Sequence, residues 1–286
     1  MRARPATVAV LALLLVPLVA ACAQPADVGV DPADAQPADP RSAAPSGKPG
    51  RYTVTATVLE NAEHGPQLCF HVMESLPPQC GGPDIVGWTW DGLAHEEVRG
   101  TRWGWYALVG FWDGTTLTLD GPAAPPAEPG LTEPGVDFRS PCEPPPGGWK
   151  VIDAAKASQA ALDRANLKAT AMPGFAGLWI DQNGGENDPR KLVLNVRFTG
   201  DPATREAALR QVWGGALCLS RAERSLADLD RIQSELTSPD ILQSSIDVVN
   251  NRIDLGKYVA TAEEQARLDA TYGPGVVRLR GFLQPA

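Results

Sequence analysis

Lys191-Leu192-Val193-Leu194-Asn195-Val196-Arg197-Phe198, with Asp201-Pro202 close behind, is the stretch that decides the fold. Leu192, Leu194, Val196 and Phe198 fall on one side of an extended chain, and Lys191, Val193, Asn195 and Arg197 on the other. That period of two marks a strand. The Asp-Pro pair then opens a helix, because proline suits the first helical position, where its missing N–H would be unpaired anyway. Ala208, Leu209, Val212 and Trp213 give that helix its buried side, Gly214-Gly215 stops it, and a strand through Leu217 and Leu219 follows. Strand, helix and strand in succession mean helices packed on a sheet.

The same grammar runs to the end of the chain. Residues 153–170 are Ala-rich and helical, ending at Met172-Pro173-Gly174. Ser225 with Asp228, and Thr261 with Glu264, are two capping boxes, in which the cap hydroxyl and an acid three residues on satisfy orphan amides. The first opens a helix carrying Leu226, Leu229, Ile232 and Leu236; the second runs to Tyr272. Between them, 246–259 reads as a hairpin about Asn250-Asn251, and 276–283 as a last strand with Arg278 and Arg280 outward. The order β-α-β-α-β-β-α-β predicts an α+β domain over 151–286, with helices on one face of a mixed or antiparallel sheet, ferredoxin-like in arrangement. No internal repeat is evident.

Upstream, nine prolines fall within residues 122–146, including Pro144-Pro145-Pro146, so 122–150 reads as an extended connector rather than sheet or helix. Before it, 51–121 reads as a small all-β domain. Tyr52, Val54, Ala56 and Val58 alternate with threonines, 67–73 and 85–90 form further strands, and 102–112 is a long one whose part 106–112 is apolar enough to be buried on both faces. Asp113-Gly114 turns the chain into a fifth strand at 115–119. Five short strands predict a small OB-like barrel or an open sheet. Trp88 and Trp90 are two apart, as are Trp103 and Trp105, so each pair shares a face if its segment is a strand. They are the candidate binding residues, able to stack on sugar rings or plug a small core.

The chain opens with Arg2 and Arg4, an apolar run from Val8 to Ala21, and Val19-Ala20-Ala21-Cys22. The run is too short to span a bilayer stably and reads as a secretory signal over 1–21. Small residues directly before a cysteine resemble the lipobox of bacterial lipoproteins. That resemblance implies cleavage before Cys22, diacylglycerol on its sulfur and an acyl chain such as palmitate on its amine. It places the protein on the extracytoplasmic face of the cell membrane, lipid-anchored, with the membrane as its first partner. Residues 22–50 then form a lipidated cysteine and a tether poor in anything to bury. The chain as a whole is similar to lipoproteins common in high-GC bacteria, which implies no activity. Asp247, Asn251-Arg252-Ile253 and Tyr272-Gly273 also resemble the pro-regions of secreted bacterial serine proteases, implying a shared small fold or inhibition in trans. No Gly-Asp-Ser-Gly nucleophile segment follows them.

Removing Arg2 and Arg4 leaves 23 basic against 34 acidic side chains, a balance of −11. An acidic chain without a basic cluster disfavours nucleic acid, leaving an envelope glycan or envelope protein as the expected partner. Setting Cys22 aside, four cysteines remain, an even number suited to two disulfides in an exported protein with three connectivities open. Cys69–Cys80 with Cys142–Cys218 is favoured, since the first would staple the Pro77-Pro78 loop to its strand and the second would fasten the connector to the following domain. His64, His71 and His95, with Glu63 or Glu96, lack the close spacing of a ligand pair, and residues 181–188 lack the glycine and glutamate positions of a calcium loop. No metal and no cofactor is expected. Neither G-x-S-x-G, S-x-x-K, H-E-x-x-H nor a glycine-rich phosphate loop occurs, so no catalytic residue is assigned. The expected function is binding, with envelope maintenance as the alternative and hydrolysis or protease inhibition behind it.

Overall fold

The computed structural model is described over residues 50–126, 135–184 and 187–286. Cys22, the signal-like segment and residues 23–49 lie outside the described residues. The architecture is α+β, with strands in three sheets.

β1 (Gly50–Glu60) pairs antiparallel with β5 (Thr101–Trp112) along its whole length, from Gly50 opposite Trp112 to Glu60 opposite Arg102. The alternation in β1 decides which side is buried: Val54, Ala56 and Val58 join Tyr106, Leu108 and Trp112 in one core, while the threonines face away. Leu68 of β2 (Gln67–Cys69), Ile85 of β3 (Ile85–Val86) and Leu117 of β6 (Leu117–Leu119) complete that core. β4 (Glu96–Val98) folds back on β5 through Arg99-Gly100, both at positive φ. Such a two-residue turn matches the twist of a hairpin.

Several expectations are corrected here. The sheet does not close into a barrel; β2 and β3 approach at the single pair Gln67–Asp84. Only one face of 106–112 is buried, and Phe111 is 38% exposed on the other. The strand expected over 67–73 ends at Cys69, whose disulfide to Cys80 draws the chain into a loop. That over 85–90 ends before Gly87, which sits at φ 84°.

The C-terminal part departs further from expectation. β7 (Phe175–Asp181), unmarked in the sequence reading, pairs antiparallel with β8 (Val193–Thr199), and β8 pairs parallel with β9 (Ala216–Ala222). β10 (Ile241–Asp247), β11 (Arg252–Lys257) and β12 (Val277–Gly281) repeat that pattern. A helix precedes each hairpin, α1 (Gln159–Thr170) and α3 (Leu226–Glu235), each capped by a serine, Ser158 and Ser225. Another carries each parallel crossover, α2 (Ala203–Arg210) and α4 (Ala262–Tyr272).

The chain thus holds two successive α-β-β-α-β units. Even the irregularities correspond, with a register shift between Phe175 and Gly177 in one hairpin and between Ile241 and Gln243 in the other. The repeat escapes the sequence because the residues match in role rather than identity. It also divides the strands between two sheets instead of one ferredoxin-like sheet. Each parallel strand needs a helical crossover to its own hairpin, and that crossover covers one face only.

The helices bury the inner faces. Phe198, Leu194, Val196, Leu209 and Trp213 are fully buried in the first unit, and Leu229, Ile253 and Val276 in the second. The units meet where Gly177 lies against Val248; a Cβ on Gly177 would come within 2.6 Å of the Val248 Cβ. The Asn251 side chain adds a second seam. Its Oδ1 accepts from the amides of Glu223 and Arg224, and its Nδ2 donates to the Arg224 carbonyl. The chain then returns to its beginning: β13 (Gln284–Pro285) pairs with Tyr52 and Thr53 of β1, and Leu283 enters the first core.

Candidate functional site

Within each three-stranded sheet the helices take one face and leave the other. The ladder registers align the two outer faces residue by residue. In the first unit the face carries Trp179 and Asp181 from β7, Val193, Asn195 and Arg197 from β8, and Cys218 and Ser220 from β9. The matching positions of the second unit are Ser245 and Asp247, Arg252, Asp254 and Gly256, and Arg278 and Arg280.

The first face is covered by the proline-rich segment. The Trp179 indole donates to the Phe138 carbonyl at 3.1 Å, and the Ser140 amide donates to Asp181 Oδ2 at 2.7 Å. Cys142 is bonded to Cys218, and Trp149 packs with it against Val193 and Ala216. Residues 138–149 therefore form a strap over one sheet. The favoured disulfide pairing is the one present, Cys69–Cys80 and Cys142–Cys218.

The second face has no such strap among the described residues. It floors a cleft of about 460 Å³, bordered on one side by Gly135, Val136 and Asp137 and lined by Gln243, Ser245, Asn250, Arg252, Asp254, Arg278 and Arg280. A second cleft of about 690 Å³ shares Gln243 and Arg280 with it and runs on to Phe70, Phe282 and Gln284 beside the first sheet. The first of these clefts is the groove over the outer face of the second unit.

A ladder of ion pairs organises its centre. Arg278 donates from Nε and Nη2 to the two oxygens of Asp254, at 2.8 and 3.1 Å. Arg252 bridges Asp254 and Asp247, both at 3.1 Å. Asn250 closes the turn by donating backbone and side-chain N–H to Asp247. Arg197 of the first unit faces the same carboxylate; burial holds its guanidinium below the usual value, with the Asp247 charge opposing that shift. At the rim, hydrogen bonds from the Arg139 side chain lower Asp137 to about 2. Two-residue spacing on adjacent strands puts these groups on one face, and their opposite charges lock each other's rotamers.

The tryptophans are distributed differently from the sequence pattern. Trp88 and Trp90 lie beyond β3 and pack against the first core, with rings 5.0 Å apart edge to face and Tyr106 beside both. The Trp90 indole donates to Glu60, and Arg102 sits 5.4 Å above its ring. Trp103 and Trp105 do share a face of β5, the outer one; Trp103 is half-buried and Trp105 is 55% exposed. The histidines stay apart: His64 is bonded to Asn61, His95 lies against Trp90, and His71 lies against Phe70. Among the described residues no group of three His, Cys, Asp or Glu is placed to hold a metal ion, and no helix is long and apolar enough to cross a membrane.

The groove residues are the ones sequence reasoning missed. Their signal was present in three alternating polar pairs, Gln243/Ser245, Arg252/Asp254 and Arg278/Arg280, the last recognised only as outward-facing. No family model matches the chain, and no curated protein matches it.

Proposed function

We propose that this protein is an extracytoplasmic lipoprotein, held to the membrane through Cys22, that acts by binding an envelope component in the groove of its second repeat. The observation that carries the reading is the contrast between the two outer sheet faces. One is occupied by the chain's own strap at Trp179, Asp181 and Cys218; the other presents Ser245, Asp247 and Arg278 at the same positions with no strap among the described residues. A preorganised polar face is suited to recognition, because its side chains are already fixed and little ordering entropy is lost on contact.

A second reading uses the outer face of the first sheet, where Trp105 stands exposed beside Thr55 and Thr57, as a platform for a glycan or a protein. One experiment separates the two. The full chain is mixed with purified envelope, and depletion from solution is followed for wild type, Ser245→Trp and Trp105→Ala. The groove reading expects saturable depletion that Ser245→Trp abolishes and Trp105→Ala leaves intact; the reverse pattern would move the function to the first sheet. Release of Cys22→Ala from the membrane fraction tests the anchor.

A further inference from the structure

We infer that the groove's ligand is a peptide, a proline-bearing segment of an envelope protein laid across the second unit as residues 138–149 lie across the first. The inference rests on the groove being the binding surface. The first unit supplies the template. There Trp179 and Asp181, two apart on β7, hold backbone groups two apart on the strap, the Phe138 carbonyl and the Ser140 amide. Cys142, two further on, is bonded to Cys218 on the opposite edge strand. Side chains of the sheet thus hold main chain that adds no strand to it. The row Trp179, Asn195 and Cys218 beneath the strap corresponds, by ladder register, to Ser245, Asp254 and Arg278 in the second unit.

The groups on the open face fit a backbone. Gln243 and Ser245 are two apart on β10 and exposed, and neither side chain has a hydrogen-bond partner among the described residues. An amide and a hydroxyl each donate and accept, so together they can take both the N–H and the C=O that a peptide withdraws from water. Their separation of about 7 Å along the strand matches alternate peptide groups of an extended chain. Charge favours no ion, because Arg252, Arg278 and Arg280 are balanced by Asp254, Asp247 and, at the rim, Asp137. A balanced face suits neutral main chain. Among the described lining residues none is aromatic, so a sugar ring would find no flat apolar surface to stack on.

Continuity with the strap's own contact supplies the third argument. Val136 and Asp137 border the groove and also line a shallow cleft with Phe138, Trp179 and Asp181, where the strap meets β7. The surface that already holds peptide and the open one therefore share a wall. Ser245 stands where the Trp179 indole fills the first face, and the smaller side chain leaves room for a ligand. Proline suits that ligand as it suits the strap, which carries Pro141 and Pro144-Pro145-Pro146. It restricts the unbound chain, so less entropy is lost on contact, and it removes an N–H that would need an acceptor.

The test mixes the full chain with purified envelope that is intact, digested with proteinase K, or digested with muramidase, each enzyme inactivated beforehand. The inference expects proteinase K to abolish depletion and muramidase to leave it. A photoreactive amino acid at Ser245 should form its adduct on a peptide of a second protein. That peptide, synthesised and titrated calorimetrically, should bind the full chain. Gln243→Leu/Ser245→Ala, which changes two exposed side chains and leaves the ion ladder in place, should weaken it about tenfold or more. Depletion that survives proteinase K but not muramidase, an adduct on a glycan or within the same chain, or a peptide indifferent to the double variant would each overturn the ligand class. If Ser245→Trp still blocks depletion in those cases, the binding site stands. Depletion indifferent to Ser245→Trp, or no depletion at all, would remove both.

Discussion

Removing the Cys142–Cys218 disulfide should destabilise the protein more than removing Cys69–Cys80, and the difference can be worked from the chain. The bonds join residues 76 and 11 positions apart. Loop-closure entropy then assigns about 4.5 kcal/mol to the first and about 2.8 kcal/mol to the second. The first bond also holds the strap on its sheet: Cys218 is 1% exposed, in a cluster with Val193, Ala216, Cys142 and Trp149. Detaching the strap lets water reach that face, which adds to the entropic term. Cys142→Ala/Cys218→Ala and Cys69→Ala/Cys80→Ala would be compared by guanidinium unfolding, followed by tryptophan fluorescence under oxidising conditions. Losing about 4.5 kcal/mol corresponds to a fall in Tm of roughly 9–18 °C in a protein of this size. An equal or smaller loss than for the Cys69–Cys80 variant would refute the claim that residues 138–149 are a structural strap.

Three other perturbations probe separate parts of the fold. Gly177→Ala should cost about 2–3 kcal/mol in urea unfolding, because the added methyl meets Val248 at the seam between the repeats and φ there is 149°. Asp254→Ala should cost about 2 kcal/mol by the same assay, since it leaves Arg252 and Arg278 facing each other across adjacent strands; Asp254→Asn should recover part of that. Lys257 lies between Asp240, at 2.8 Å, and Glu264, at 2.5 Å. Burial acts to lower its ammonium, but the two carboxylates outweigh it and raise it, so its stabilisation is present below its unfolded value and lost as pH rises through the folded one. Burial acts to raise the Asp240 carboxyl, but hydrogen bonds from Lys257 and Ser238 outweigh it and hold it below 3.8. Its stabilisation is therefore present above that value and lost as pH falls through the folded one. Lys257→Met should abolish the alkaline loss and shrink the acid loss in urea midpoints measured against pH.

Local chemistry in this sequence translates well into elements. The Ser225–Asp228 capping box forms with both of its bonds, and the Asn250-Asn251 turn closes the hairpin as expected, with Asn251 at φ 54°. The second box forms only in part: Thr261 caps Glu264, whose carboxylate goes to Lys257. Pro202 takes the cap position of α2 rather than its first turn.

What was hidden was tertiary. β7 carries Gly177 and a register shift beside it and has no clean alternation of polar and apolar residues, so it gives no periodic signal. Without it neither hairpin–crossover unit can be counted twice. The groove was hidden for a related reason: Arg252, Asp254 and Arg278 read singly as solvated charges, and only strand register places them side by side. Trp88 and Trp90 show the opposite error, where a spacing of two implied a shared strand face but Gly87 had already turned the chain out of the sheet.

The most direct measurement of the central claim is site-specific photocrosslinking in intact cells, with a photoreactive amino acid at Ser245 in the groove and, in a second strain, at Thr55 on the outer face of the first sheet. The account expects Ser245 to capture envelope material that Thr55 does not. Capture from Thr55 with none from Ser245 would contradict it.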